Sequence, residues 1–195
     1  MKQIIAIIGM ASILFFLNPF DIQKVKAALL VYGSTGERVE EIQYTLNQLG
    51  YLHTQPTGYY GPLTQGAARE FQQDFNLAID GIVGPETQQA LKNVEMMARV
   101  VHGEARGESY EGQVAVAAVI FNRVRDSEFP TNISDVIFQR NAFTAVSDGQ
   151  YDLPPNQYAY QAVKDARLGW IHRMGLHITI TRKPLRPLSF SRGSL

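Results

Sequence analysis

"VHGEARGESYEGQVAVAAVIFNRV", Val101 to Val124, sets three glutamates (Glu104, Glu108 and Glu111) among three glycines and follows them with an almost wholly apolar run. Val114, Ala117, Ala118, Phe121 and Val124 recur at helical spacing and form one stripe, while Val116 and Ile120 lie on another. A helix apolar on nearly all sides belongs at the centre of a fold. Just upstream, Met97, Val100, Val101 and Glu104 share one side of "VEMMARVVHGE". Glu104 therefore ends a helix on its core-facing side. Gly103 and Gly107 are expected to bend the chain, and Ser109 to cap the helix that resumes.

The three carboxylates differ in what their positions allow. Glu111 falls in the first turn of the second helix, where backbone N–H groups favour a negative charge. Glu108 precedes the cap, solvated or paired with Arg106. Glu104 faces the mouth of the buried helix. A carboxyl held half-dry there can keep its proton and donate it to the leaving oxygen of a glycosidic bond.

Upstream of residue 94 the pattern is different. In "GERVEEIQYTLNQLGY" (Gly36 to Tyr51), Val39, Ile42, Leu46 and Leu49 mark a helix that Gly50 stops. "TQGAAREFQQDF" (Thr64 to Phe75) places Ala68, Phe71 and Phe75 on one face, with Thr64 as its N-cap. Two similar loops, "TGYYGPLT" (Thr57 to Thr64) and "DGIVGPET" (Asp80 to Thr87), lie 23 residues apart and each feed a helix. In both, Pro opens the helix and Thr is expected to cap it. Three short helices around a small core follow.

This half resembles the three-helix peptidoglycan-binding domain appended to many wall hydrolases, through "LGY", "FQQDFNL" and "DGIVGPET" taken in order. The resemblance places sugar and peptide near the two loops. Tyr59, Tyr60 and Asp80 are its candidate contacts, although Asp80 fits equally well as a residue serving its own turn. The second half, "ARVVHGEARGESYEGQVAVAAVIFNRV" with "FTAVSDGQY", resembles the catalytic domain of spore cortex-lytic enzymes over about residues 94–170. That resemblance implies a mainly α (α+β) chain: a three-helix binding domain plus a lysozyme-like catalytic domain. It implies lytic transglycosylation of spore cortex peptidoglycan during germination, between muramic acid and glucosamine. Glu104 would protonate the leaving oxygen and then take a proton from the muramic C6 hydroxyl, giving a 1,6-anhydro sugar. Glu108 and Glu111 would support it. "NAFTAVSDGQYDLPPN" (Asn141 to Asn156), a loop or short strand, would line the cleft, with Phe143 and Thr144 touching substrate; Phe143 also reads as plain core. The alternatives are a peptidoglycan-binding protein with a non-functional catalytic half and a plain muramidase-type hydrolase.

Composition narrows the field. The 195 residues carry no net charge, which forces no basic face for nucleic acid. The absence of cysteine removes disulfides and thiol chemistry. His53, His102, His172 and His177 form no His-Glu-x-x-His pair, and no phosphate loop or Gly-x-Ser-x-Gly elbow is present. No cofactor and no metal are expected. The partners expected are cortex glycan strands, with room for a spore membrane-associated protein. Residues 1–27 read as a secretory signal, with a retained anchor as the alternative: Lys2, the apolar run Ile4 to Leu17, the breaker Asn18-Pro19, and small residues before a cut at Ala28. The organisation expected is a signal (1–27), a peptidoglycan-binding domain (28–92), a catalytic domain (93–170) and an aberrant tail (171–195), the mature chain acting outside the cell on cortex or wall.

The tail departs from the resemblance. Residues 28–170 carry 10 basic and 17 acidic residues; residues 171–195 carry five basic residues and no acid. Relatives continue after a tryptophan with Asp-Pro-Ser/Thr-His-Gly-Ala, a tyrosine-rich strand and Asn-Pro, whereas this chain has "IHRMGLHITITRKPLRPLSFSRGSL". Codons can be chosen for this segment so that one base restored after Trp170 yields Asp-Pro-Ser-His-Gly-Ala-Ser-Tyr-Tyr-Tyr-Asn-Pro. A single-base deletion is thus expected, and it puts activity in question. Leu176, Ile178 and Ile180 alternate with polar residues and suit a substitute strand. No flexible linker separates the halves, so they are expected to touch or to share a helix.

Overall fold

The computed structural model describes residues 29–169. The signal segment, and the tail with its substitute strand, lie outside the described residues.

Helix α1 (Glu37–Gln48) buries Val39, Ile42 and Leu46, the stripe expected of it. It ends as a left-handed cap: Gly50 has φ +76°, its N–H donates to Asn47 O, and the Tyr51 N–H donates to Leu46 O. Helix α2 (Pro62–Asp74) ends in the same way, with Asn76 at φ +58° in place of glycine. Pro62 and Pro85 open α2 and α3 (Pro85–Ala105), as read from the sequence. The threonines do not cap. Gly61 and Gly84 hold the cap positions, and Thr64 and Thr87 point inward instead.

What those threonines meet explains the repeat. Gln43 of α1 is buried beneath the first loop. Its amide nitrogen donates to Thr64 Oγ1 and Tyr59 O, and its oxygen accepts from the Thr57 and Gly58 N–H groups. Gln72 of α2 does the same beneath the second loop, donating to Asp80 Oδ1, Ile82 O and Thr87 Oγ1 and accepting from Gly81 N–H. Each glutamine satisfies the backbone of a turn that would otherwise bury unpaired groups at about 1–3 kcal/mol apiece.

Helix α3 runs for 21 residues without a break. Its buried Leu91, Val94, Met97, Val100 and Val101 all belong to one apolar cluster that runs from residues of the first half to residues of the second. The helix shared between halves is therefore present. Gly103 lies within it rather than bending the chain. Helix α4 (Tyr110–Arg125) starts at Ser109, whose hydroxyl accepts from the Gly112 N–H, as expected. It buries Val114, Val116, Ala117, Ala118, Val119 and Ile120, so it is central on nearly every side.

Four short elements close the second half: α5 (Ile133–Phe138), α6 (Thr144–Ser147), a 3-10 turn (Gln150–Asp152) and α7 (Gln157–Arg167). Helix α7 packs against α3 and α4 and also joins the halves. Lys164 Nζ donates to Leu49 O, and Arg167 Nη2 donates to Phe75 O. Two cations of the second half thereby sit on the C-terminal carbonyls of α1 and α2, where the helix dipole favours positive charge. The fold is mainly α, as expected. Among the described residues the only extended pairing is two isolated bridges, Leu30 with Val83 and Thr35 with Tyr59, so the β component does not appear there. The segment read as a loop or short strand forms α6 and the 3-10 turn.

Candidate functional site

The last turn of α3 carries Glu104, half-buried. Both of its carboxyl oxygens are engaged from across the chain. Thr144 Oγ1 donates to Oε2 at 3.0 Å, and the Ala145 backbone N–H donates to Oε1 at 2.6 Å. Ala145 lies in the first turn of α6, where an N–H has no partner within its own helix. The carboxyl therefore takes up a donor that the short helix leaves over. Thr144 itself is exposed, so this pair sits at the surface end of the site.

Close packing makes the approach possible. A Cβ on Gly103 would lie 2.5 Å from the Ala145 Cβ and 3.4 Å from Gln150. Only glycine lets α6 come this near to α3. Arg106, at the end of α3, donates to Gln150 Oε1 at 2.5 Å, and Gln150 in turn donates to both oxygens of Asp148. The Gln150 backbone and side-chain donors hold the Asp148 carboxyl below its usual range. Arg106 is thus taken up by the brace on the 3-10 turn, rather than by the Glu108 that was offered as its partner. His102, two residues before Glu104, is kept below the ordinary imidazole range by burial and then by the Arg106 charge.

The supporting carboxylates stand apart in kind. Glu108 is exposed. Glu111 is exposed in the first turn of α4, its carboxyl held below the usual range by a backbone N–H and by Ser109. It serves the helix start. Among the described residues, no group of three or more His, Asp or Glu side chains is placed to hold a metal ion.

Phe143 is not a surface contact. It is 2% exposed, caps the N-terminus of α6 and lies against the Arg123 guanidinium. Tyr60 is corrected likewise: it is fully buried, and its hydroxyl donates to Gly81 O. Burial excludes both rings from stacking on a sugar. Asp80 is exposed, and its Oδ1 accepts from the Ile82 N–H and from Gln72, the turn-serving role. Tyr59 does face outward, and it has a companion that sequence reasoning missed. Tyr32 and Tyr59 are 58% and 46% exposed, with ring centroids 6.4 Å apart and their planes at 71°. The neighbouring Tyr32 hydroxyl pushes the Tyr59 phenol up from its ordinary range. The signal was an aromatic beside the Gly33-Ser34 turn, outside any apolar stripe. Arg123 was missed too, although it continues the Val116–Ile120 stripe by one helical step.

Two family models match the chain: "Putative peptidoglycan binding domain" over residues 35–91 and "Cell Wall Hydrolase" over residues 107–179. The second begins just after Glu104 and runs past Trp170, into the segment where the family pattern was expected to break. A spore cortex-lytic enzyme of Bacillus cereus is 34% identical across 86% of this chain and 82% of its own length. One of Oceanobacillus iheyensis is 34% identical across 71% of this chain and 72% of its own. Among solved structures, the catalytic domain of the Bacillus cereus SleB protein is 58% identical over 40% of this chain and 61% of that one, with a TM-score of 0.39.

Proposed function

The chain belongs to the spore cortex-lytic enzyme family, and from that premise we propose that Glu104 is the single acid–base group with which it cleaves cortex peptidoglycan by lytic transglycosylation. Membership makes the protein a peptidoglycan-cleaving enzyme that acts outside the membrane, where its substrate lies. The observation that carries the finer reading is the two-point hold on Glu104 by Thr144 and Ala145.

That hold suits a group that must work as an acid and then as a base. An N–H can only donate, so the Ala145 contact keeps Oε1 as an acceptor. A threonine hydroxyl can donate or accept, so Thr144 can turn to accept a hydrogen bond from Oε2 when that oxygen carries the proton. In the first step Glu104 gives its proton to the oxygen between muramic acid and glucosamine. In the second, the carboxylate takes the proton of the muramic C6 hydroxyl as that oxygen bonds to C1. The C1–O bond to the leaving sugar breaks, and a 1,6-anhydro ring forms. One carboxyl serves both steps. The commitment of Glu111 to the start of α4 supports a mechanism without a second acid. The test is mass spectrometry of cortex peptidoglycan digested by the full chain. Anhydro ends are expected; reducing muramic ends would show a plain hydrolase, and pelleting with sacculi without any product would leave binding alone.

The exposed Tyr32–Tyr59 pair is the reading's wall contact. Two edge-linked rings offer faces to sugar C–H groups at little ordering cost, because each ring has only two side-chain torsions. Replacing both by alanine (Tyr32→Ala with Tyr59→Ala) is expected to weaken co-sedimentation with sacculi by about tenfold, equivalent to ~1.4 kcal/mol. The melting temperature should change little, since both rings lie at the surface outside the core. Unchanged sedimentation would remove the pair from the wall contact.

A further inference from the structure

A buried arginine lies directly beneath the segment that holds Glu104, and we propose that it is a positioning residue for that carboxyl. Arg123, in the last turn of α4, is 3% exposed. Its guanidinium lies 5.3 Å from the Phe129 ring centroid and 5.1 Å from that of Phe143. Its Nη1 donates to Ala142 O at 3.5 Å, and its buried Nε has no hydrogen-bond partner. The ion pair of the described residues is Arg99 with Glu95, so no carboxylate there neutralises Arg123. Burial pulls its pKa down.

Such a cation is a poor device for stability. Taking a guanidinium out of water is costly, and ring faces with one long hydrogen bond replace its hydration only in part. An apolar side chain of similar volume would fill the site with less loss. What Arg123 does hold is local. Ala142 and Phe143 are among its contacts, and the next two residues, Thr144 and Ala145, are the donors to Glu104. Phe143 sets where α6 begins, and the Ala145 N–H belongs to the first turn of α6. The flat guanidinium fixes the Phe143 ring and the Ala142 carbonyl together, and the donors follow in register. Lysine cannot reproduce this, because its compact, strongly hydrated ammonium presents no plane to stack between two rings.

The inference rests on Glu104 being the acid–base group, and its test has a readout that does not need turnover. The Ala145 amide proton, bonded to Glu104 at 2.6 Å, reports the hold directly by NMR, with Glu104→Gln marking the shift when the carboxylate is gone. Arg123→Met is expected to move this resonance in the direction of the Glu104→Gln spectrum. Its melting temperature should be equal to that of the parent or higher. On soluble cortex glycan it should lower kcat by about 10- to 100-fold, with KM nearly unchanged. The kcat loss should shrink in a Thr144→Ala background, as it must if Arg123 acts through the 142–145 segment. Arg123→Lys should show the same amide displacement. A parental Ala145 resonance in either folded variant overturns the proposal. So does loss of folding in both, which would make the arginine a support of the core. An active Glu104→Gln enzyme would instead sink the reading of Glu104, whatever Arg123 does.

Discussion

Glu104→Gln is expected to cut the release of muropeptides from cortex peptidoglycan by about 10²- to 10⁴-fold, the range that a general acid–base group supplies. The variant should bind sacculi and melt as the parent does. Glutamine keeps an oxygen to accept from the Ala145 N–H, and its amide nitrogen can donate to the Thr144 hydroxyl. The two contacts at 2.6 and 3.0 Å can therefore persist with roles partly exchanged. The proton is what disappears: an amide neither gives one to a leaving oxygen nor accepts one from a C6 hydroxyl. Glu104→Asp should also lose most of the rate, since a carboxyl drawn back by one methylene leaves both donors and the scissile oxygen out of reach. The decisive comparison is between Glu104→Gln and alanine variants at Glu108 and Glu111. If only the first loses product, the division of labour among the three glutamates stands. A Glu104→Gln enzyme with more than a tenth of the parental rate would move the chemistry to another group.

The helices α1, α2 and α4 were legible because each carries a continuous apolar stripe. Val39–Ile42–Leu46 and Val114–Ala117–Ala118 predicted their burial without help from the rest of the chain. The residues that place the site were harder to see. Gln43 and Gln72 look like surface positions on polar helix faces, and only the return of a loop over each makes the amide a buried clamp. The same long-range closure took Thr64 and Thr87 away from capping and Tyr60 away from the surface. Glu104 could be singled out locally, because its spacing from Val101 and Met97 puts it on the packed side of α3. Its partners could not, because Thr144 and Ala145 lie some 40 residues downstream and reach it only through the docking of α6. Arg123 was hidden by its type. A basic residue on a buried stripe reads as a helix end until the two phenylalanines that enclose it are known.

The role of that docking can be tested at one hydrogen atom. Gly103→Ala places alanine inside a 21-residue helix, where it would ordinarily stabilise by ~1 kcal/mol. Here the new methyl would stand 2.5 Å from the Ala145 Cβ, well inside the ~3.5–4.0 Å at which carbons rest. Helix α6 must retreat by about 1 Å, taking the Ala145 N–H and the Thr144 hydroxyl away from Glu104. A displacement of that size costs about 10²-fold in rate when it falls on the reacting geometry. The net change in stability should be only ~1–2 kcal/mol, an overpacking cost partly offset by helix propensity. Gly107→Ala is the control, since nothing lies within 4 Å of the Cβ it would add, and it should retain activity. The sharper test is reciprocal. Ala145→Gly removes the methyl that is struck, so the double variant Gly103→Ala with Ala145→Gly should recover much of the lost rate. If Gly103→Ala turns over at the parental rate, or if the double variant is no better than the single, then the close seat of α6 on α3 is not what arms Glu104.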